Sequence, residues 1–217
     1  MLTFVIILGC ALTVLTCALL RLLPEPTGEP DVESKITYRD LVDTKFVTCC
    51  LIASLIFLLL SVDQQPVWVI YSTAVLVAIA CDARTTWLPN KLTYSCWAFC
   101  LLALGYQGLH DVRSLLPVAL GAGALWLFFL LIWRLSGSIG FGDVRLSPIV
   151  GGVAGTLGFD GWLISVLLGT AAAAVWGLIV TLVRRRRPSP LGKAFPYGPG
   201  LWLGPYLGLI ASLWASA

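Results

Sequence analysis

Charged side chains are scarce in this chain. They make up 12% of its 217 residues, against about 25% in a soluble globular domain. Apolar runs near transmembrane length recur from end to end, which excludes a soluble domain carrying a single anchor. The longest polar stretch, Pro24 to Lys45, is too short to bury a core of its own. Glutamate disappears after residue 45, and only Asp63, Asp82, Asp111, Asp143 and Asp160 follow. Histidine is reduced to His110. None of the seven cysteines (Cys10, Cys17, Cys49, Cys50, Cys81, Cys96 and Cys100) forms a Cys-x-x-Cys pair. A tetrahedral zinc site needs clustered thiolates and imidazoles, so no metal site is expected. The thiols read as small apolar side chains, and nothing demands a disulfide. Basic residues are also missing ahead of the first apolar run, Met1-Leu2-Thr3-Phe4. That argues against a cleaved signal peptide and for an ordinary first helix.

What is present is a series of apolar segments. Eight are read, at about Leu2–Leu23, Phe46–Val62, Val67–Cys81, Thr93–Leu109, Leu115–Trp133, Leu146–Phe159, Trp162–Val183 and Gly200–Trp214. The expected fold is all-α, a polytopic transmembrane bundle of about eight helices. The third and sixth segments are short for a span of about 20 residues, and each is expected to continue into its flanking motif or to sit in a locally thinned region. Residues 1–66 read as an N-terminal two-helix region with a short cytoplasmic loop at 24–45. Residues 67–217 read as a six-helix core. Small residues recur four apart in Gly151-x-x-x-Gly155, Gly204-x-x-x-Gly208 and Gly169-x-x-x-Ala173-x-x-x-Gly177, a spacing that permits close helix packing in lipid.

The positive-inside rule orients these segments. With the loop after the third segment in the cytoplasm, thirteen of the fourteen basic residues fall on one side, and only Arg113 falls outside. The run Arg184–Arg187 then reads as a topology anchor rather than a nucleic-acid site. The same topology sorts the acids beyond residue 45. Asp63, Asp111 and Asp160 fall in short outside loops, where a carboxylate is simply solvated. Asp82, closing the run Ile79-Ala80-Cys81, and Asp143, in Gly140-Phe141-Gly142-Asp143, fall together on the cytoplasmic face. An ionisable residue beside lipid costs about 2.5–3.5 kcal/mol and marks function by default.

Two carboxyl groups close enough to share a proton can hydrolyse a peptide bond without a metal, a cofactor or a nucleophilic side chain. Like charges a few ångströms apart do not both ionise cheaply, so one group is the base and the other the acid. The base takes a proton from water, the acid donates to the carbonyl oxygen, and the roles then exchange. Gly140 and Gly142 flank the approach to Asp143. As a loop with unusual backbone angles they would bring it into a cleft and leave room for an extended substrate. His110 is expected outside, so no Ser/His or Cys/His set competes with the aspartates.

The stretch Cys81-Asp82-Ala83-Arg84-Thr85-Thr86-Trp87-Leu88-Pro89-Asn90-Lys91-Leu92-Thr93 resembles the first active-site segment of the type IV prepilin peptidases. There an aspartate at a helix end is followed by Pro-x-x-Leu-Thr. Gly140-Phe141-Gly142-Asp143-Val144-Arg145-Leu146 resembles the second segment, and Phe195-Pro196-Tyr197-Gly198-Pro199 the C-terminal Pro-Phe-Gly-Pro. The resemblance covers about residues 67–215. It implies an integral membrane aspartic endopeptidase of a prokaryotic cytoplasmic membrane. Such an enzyme removes the short basic leader from prepilin-like or pseudopilin proteins at the cytoplasmic face. Asp82 and Asp143 would be the catalytic pair, with Gly140, Gly142, Pro89 and Arg145 supporting the loops or the substrate. The implied partners are a prepilin-like substrate and the lipid bilayer, with no nucleic acid. Arg145 replaces the family's lysine, and Tyr197 its phenylalanine. The cysteine-paired region of longer members, associated with methylation of the new N-terminus, has no counterpart, so a short form without methyltransferase activity is expected. The alternatives are a Gly-x-Gly-Asp protease of presenilin-like type and, in a different class, a small ion-coupled transporter.

Overall fold

The computed structural model describes residues 2–24, 36–136, 139–186 and 196–216, with no strand among them. The helices are α1 (Leu2–Leu22), α2 (Tyr38–Leu41), α3 (Thr44–Leu60), α4 (Val67–Thr85), α5 (Asn90–His110), α6 (Leu115–Ser136), α7 (Phe141–Gly155), α8 (Gly158–Arg186) and α9 (Gly198–Ser216). The short α2 aside, each stands where the sequence placed an apolar segment. Residues 2–22, 67–85, 112–136 and 158–183 form helices long and apolar enough to cross a membrane. Lys35, Arg187, Lys193 and Phe195 lie outside the described residues, as does half of the 24–45 loop.

Capping explains several boundaries. Asp43 sits before α3, and its carboxyl accepts from the Phe46 N–H at 2.7 Å. Thr37 does the same for α2, accepting from the Asp40 N–H at 3.1 Å. Such caps satisfy amides that have no partner within the helix. One boundary differs from the sequence expectation, and one bears it out. The sixth segment ends at Gly155 rather than Phe159. A tight turn at Thr156–Leu157 leads to Gly158, whose φ of 78° suits a residue without a side chain, and Phe159 and Asp160 belong to the first turn of α8. The third segment does continue into its motif, as far as Thr85.

Close helix contact follows the small residues. α6 and α7 touch backbone to backbone where Gly121 faces Gly151, and a side chain on either would overlap the other's carbonyl. The Trp162 indole donates to the Gly121 carbonyl at 3.3 Å, adding α8 to the same contact. α8 and α9 meet through Gly169, Ala173, Gly200 and Gly204. The spacing noticed in the sequence is thus a packing device.

At the centre lies α4, buried on nearly every side and interrupted by a π-helical turn over Tyr71–Val75. Such a turn is rare inside a helix. A reciprocal pair of bonds ties it to α9: the Tyr71 hydroxyl donates to the Trp202 carbonyl at 2.7 Å, and the Trp202 indole donates to the Tyr71 carbonyl at 3.2 Å. The hydroxyls of Ser72 and Tyr206 lie 2.7 Å apart in the same seam. Phe57, Trp68, Tyr71, Trp202 and Tyr206 pack ring against ring around these bonds. Aromatic hydroxyls and indoles are thereby satisfied in an apolar interior, as burial requires.

A Cβ on Gly204 would lie 2.5 Å from the Ser165 carbonyl oxygen, whereas one on Gly105 would meet nothing within 4 Å. Gly204→Leu is therefore expected to lower unfolding free energy in detergent by about 1–3 kcal/mol. Gly105→Ala is expected to raise it by up to about 1 kcal/mol, because glycine is the poorer helix former. Equilibrium unfolding of the two purified variants checks both signs.

Candidate active site

The two aspartates come from distant helices and meet at one end of the bundle. Asp82 lies one turn before the end of α4 and is only 9% exposed. Asp143 lies in the first turn of α7, half-buried. The two are close enough for the charge of Asp143 to act on Asp82.

Each is held by the turn beside it. After Asp82 the helix closes at Thr86, whose N–H reaches the Asp82 carbonyl at 2.7 Å. Thr86 has φ 56°, a left-handed conformation that costs a β-branched residue about 1–3 kcal/mol. Thr85 braces this turn: its hydroxyl bonds to the Cys81 carbonyl at 2.8 Å and accepts from the Trp87 N–H at 3.2 Å. The chain then doubles back, so that Leu88 packs on α7. A Cβ on Gly142 would lie 3.3 Å from the Leu88 Cβ.

Gly140-Phe141-Gly142-Asp143 is not the loop expected from its glycines. Phe141, Gly142 and Asp143 are helical, and Gly140 is the residue before the helix, at φ −67° and ψ 144°. Those angles suit any residue. What the glycines provide is room: Gly142 receives Leu88, and a Cβ on Gly140 would stand 3.7 Å from an Asp143 carboxyl oxygen. The Asp143 carboxyl therefore folds back toward the start of its own helix, where free amides favour negative charge.

Pro89 and Arg145 join the two motifs. Pro89 precedes α5, and its carbonyl accepts from both the N–H and the hydroxyl of Thr93, each at 3.0 Å. The Arg145 guanidinium donates to the Asn90 side-chain oxygen and lies over the Phe141 ring, 5.2 Å from its centroid. The Arg145 carbonyl in turn accepts from the Trp97 indole at 3.1 Å. The start of α5 is thus fastened to the start of α7.

The site also includes Tyr197 and Gly198 of the third motif, to which the sequence alone assigns no role. Gly198, which opens α9, donates its backbone N–H to the Asp82 carboxyl. Tyr197 beside it is half-buried and packs near Phe129, with ring centroids 6.0 Å apart. Burial first, and the neighbouring Asp143 charge second, push the Tyr197 phenol above its ordinary range. The third motif therefore reaches both aspartates. The only signal in the sequence was the glycine between Tyr197 and Pro199 at a helix start. Asp63, Asp111 and Asp160 are placed elsewhere, at turns or helix starts toward the other end of their helices.

A model of the type IV leader peptidase family matches residues 68–178. No curated protein and no solved structure matches the chain. The matched stretch covers over half of the 217 residues and contains both aspartate motifs in order. With its apolar helices long enough to cross a bilayer, this membrane protein belongs to the type IV leader peptidase family and is a peptidase.

Proposed function

We propose that this peptidase is an aspartic endopeptidase, with Asp82 and Asp143 as its catalytic pair. Its substrates are type IV prepilin-like or pseudopilin proteins, from which it removes the short basic leader. The observation that carries the reading is the meeting of a buried and a half-buried carboxyl group from separate motifs at one end of an apolar bundle. In the first step the ionised carboxyl takes a proton from water, and the oxygen attacks the scissile carbonyl carbon. The protonated carboxyl gives its proton to the carbonyl oxygen. Collapse of the tetrahedral intermediate then breaks the C–N bond, with a proton passing to the leaving amine. Gly140, Gly142, Pro89 and Arg145 hold the two turns in register. The match to the leader peptidases favours this reading over helix-cutting proteolysis or ion-coupled transport.

The membrane is the prokaryotic inner membrane, and the pair works at its cytoplasmic face. Supporting this, Arg84 and Arg145 share the helix ends of the two aspartates, Arg21 and Arg134 close α1 and α6, Lys45 and Lys91 open α3 and α5, and Arg113 lies in the turn after α5. Residues 67–217 form the peptidase core, and the family match begins just inside it. Residues 1–66 form the accessory two-helix region.

Asp82→Asn and Asp143→Asn are each expected to abolish cleavage of a co-expressed prepilin-like substrate while the protein still accumulates in the membrane. Asp63→Asn, Asp111→Asn and Asp160→Asn should cut normally. A gel shift of the substrate reads both outcomes, and wild-type cleavage by either of the first two would remove that residue from the pair. Single cysteines at positions 84 and 134 in a cysteine-free background should resist an impermeant thiol reagent in intact cells, and position 113 should react. The reverse pattern would invert the topology. The residue before the scissile bond should be small, with glycine cut faster than valine or leucine. Glycine disfavours helix by about 1 kcal/mol relative to alanine and so keeps the bond extended at the carboxyls. Cleavage rates across a Gly, Ala, Val and Leu series measure this.

A further inference from the structure

Gly198 is a contact of Asp82 from outside both aspartate motifs and beyond the stretch that the family model matches. Two features of it matter. Its N–H donates to the Asp82 carboxyl, and its Cα carries nothing where a side chain would collide with that carboxyl. A Cβ there would lie 2.7 Å from Asp82 Oδ2 and 3.5 Å from Asp82 Cγ. The next neighbour is the Ile79 Cδ1, at 3.2 Å. The residue is itself buried.

The Asp82 carboxyl is buried, and it projects from a helix whose own amides are engaged in the helical ladder. A backbone N–H is a rigid donor, because its direction is set by the helix that it opens rather than by a rotamer. That helix is tied to α4 a second time by the reciprocal Tyr71–Trp202 bonds, four residues beyond Gly198 in α9 and eleven before Asp82 in α4. Two points of attachment fix both the distance and the rotation of α9 against α4. The N–H of Gly198 is therefore delivered to the same spot each time.

We propose that Gly198 is a positioning residue for hydrolysis: its N–H and its bare Cα hold the Asp82 carboxyl in the orientation that faces Asp143. The proposal rests on the reading of Asp82 and Asp143 as the catalytic pair, and it assigns a task to the third motif, which that reading leaves without one. Gly198→Ala keeps the N–H but drives the carboxyl off its position. Misplacement of a reacting group by about 1 Å is enough to cost about a hundredfold in rate.

The test uses purified full-length protein in detergent and a substrate made of a basic leader, a glycine and an apolar helix. Gly198→Ala should lose about a hundredfold in kcat with little change in KM. Gly123→Ala, where a Cβ meets nothing within 4 Å, should match the wild type. The double variant Ile79→Ala/Gly198→Ala separates positioning from packing. It frees the space that Ile79 occupies, so it accumulates even where the single variant does not. If Gly198 only packs against Ile79, the double variant is as active as Ile79→Ala alone, and the proposal is overturned. If it acts on Asp82, the loss persists. Infrared bands of the carboxyl groups, assigned with Asp82→Asn and Asp143→Asn, give a reading that needs no substrate. The Asp82 band should shift in Gly198→Ala, and an unshifted band overturns the proposal. Asp82→Asn in the same cleavage assay tests the pair itself. A dead Asp82→Asn beside a fully active Gly198→Ala refutes only the role of Gly198, whereas an active Asp82→Asn refutes the pair.

Discussion

A carboxyl group buried among apolar helices must find donors, and helix ends are where a bilayer protein has donors to spare. Within a helix every amide is taken, and in lipid no water replaces it. At the first turn, several amides point outward without a partner. Both aspartates lie at such openings, and Asp82 takes a donor from one. Asp143 turns back on the opening of its own helix α7, and Asp82 meets the opening of α9 through Gly198. The site is thus a meeting of helix ends, and the bundle around it is arranged so that those ends converge.

The arrangement depends on how closely the helices approach. α6 and α7 touch through Gly121 and Gly151, and α8 and α9 through Gly169, Ala173, Gly200 and Gly204. Larger residues at these points would push α7 and α9 outward and carry their first turns away from α4. The turns between helices add local fastening: Leu88 sits over Gly142, and Arg145 holds Asn90. Packing in the middle of the bundle and bonding at its end therefore serve the same few ångströms of geometry.

Much of this could be read from residue order. Each of the eight apolar segments became a helix among the described residues, because hydropathy over about 20 residues is a strong signal and needs no knowledge of neighbours. Asp82 and Asp143 were singled out because acids are so scarce after residue 45. Less legible were features set by distant contacts. The glycines at 140 and 142 suggested a loop, since glycine disfavours helix, yet the packing of Leu88 makes the second of them a helical residue. The π-helical turn at Tyr71–Val75 has no periodic signature, because its residues are all buried whatever the register. The bond from Gly198 to Asp82 spans more than a hundred residues, and only the docking of α9 on α4 creates it.

Of the four helices among the described residues that are long and apolar enough to cross a bilayer, the one bearing Asp82 is the least apolar and the most enclosed. Ser72, Thr73 and Asp82 itself make it a poor partner for lipid, and in the folded bundle it scarcely meets any. Insertion and folding are thus in tension for this segment. A helix that enters the membrane before it associates must first tolerate hydrocarbon on all sides, where polar groups are penalised. α1 and α3, which precede it in the chain, pack directly on its π-helical turn. The order of synthesis therefore supplies part of its shelter: the apolar hairpin comes first, and α9, made last, closes over the side that bears the Tyr71–Trp202 bonds.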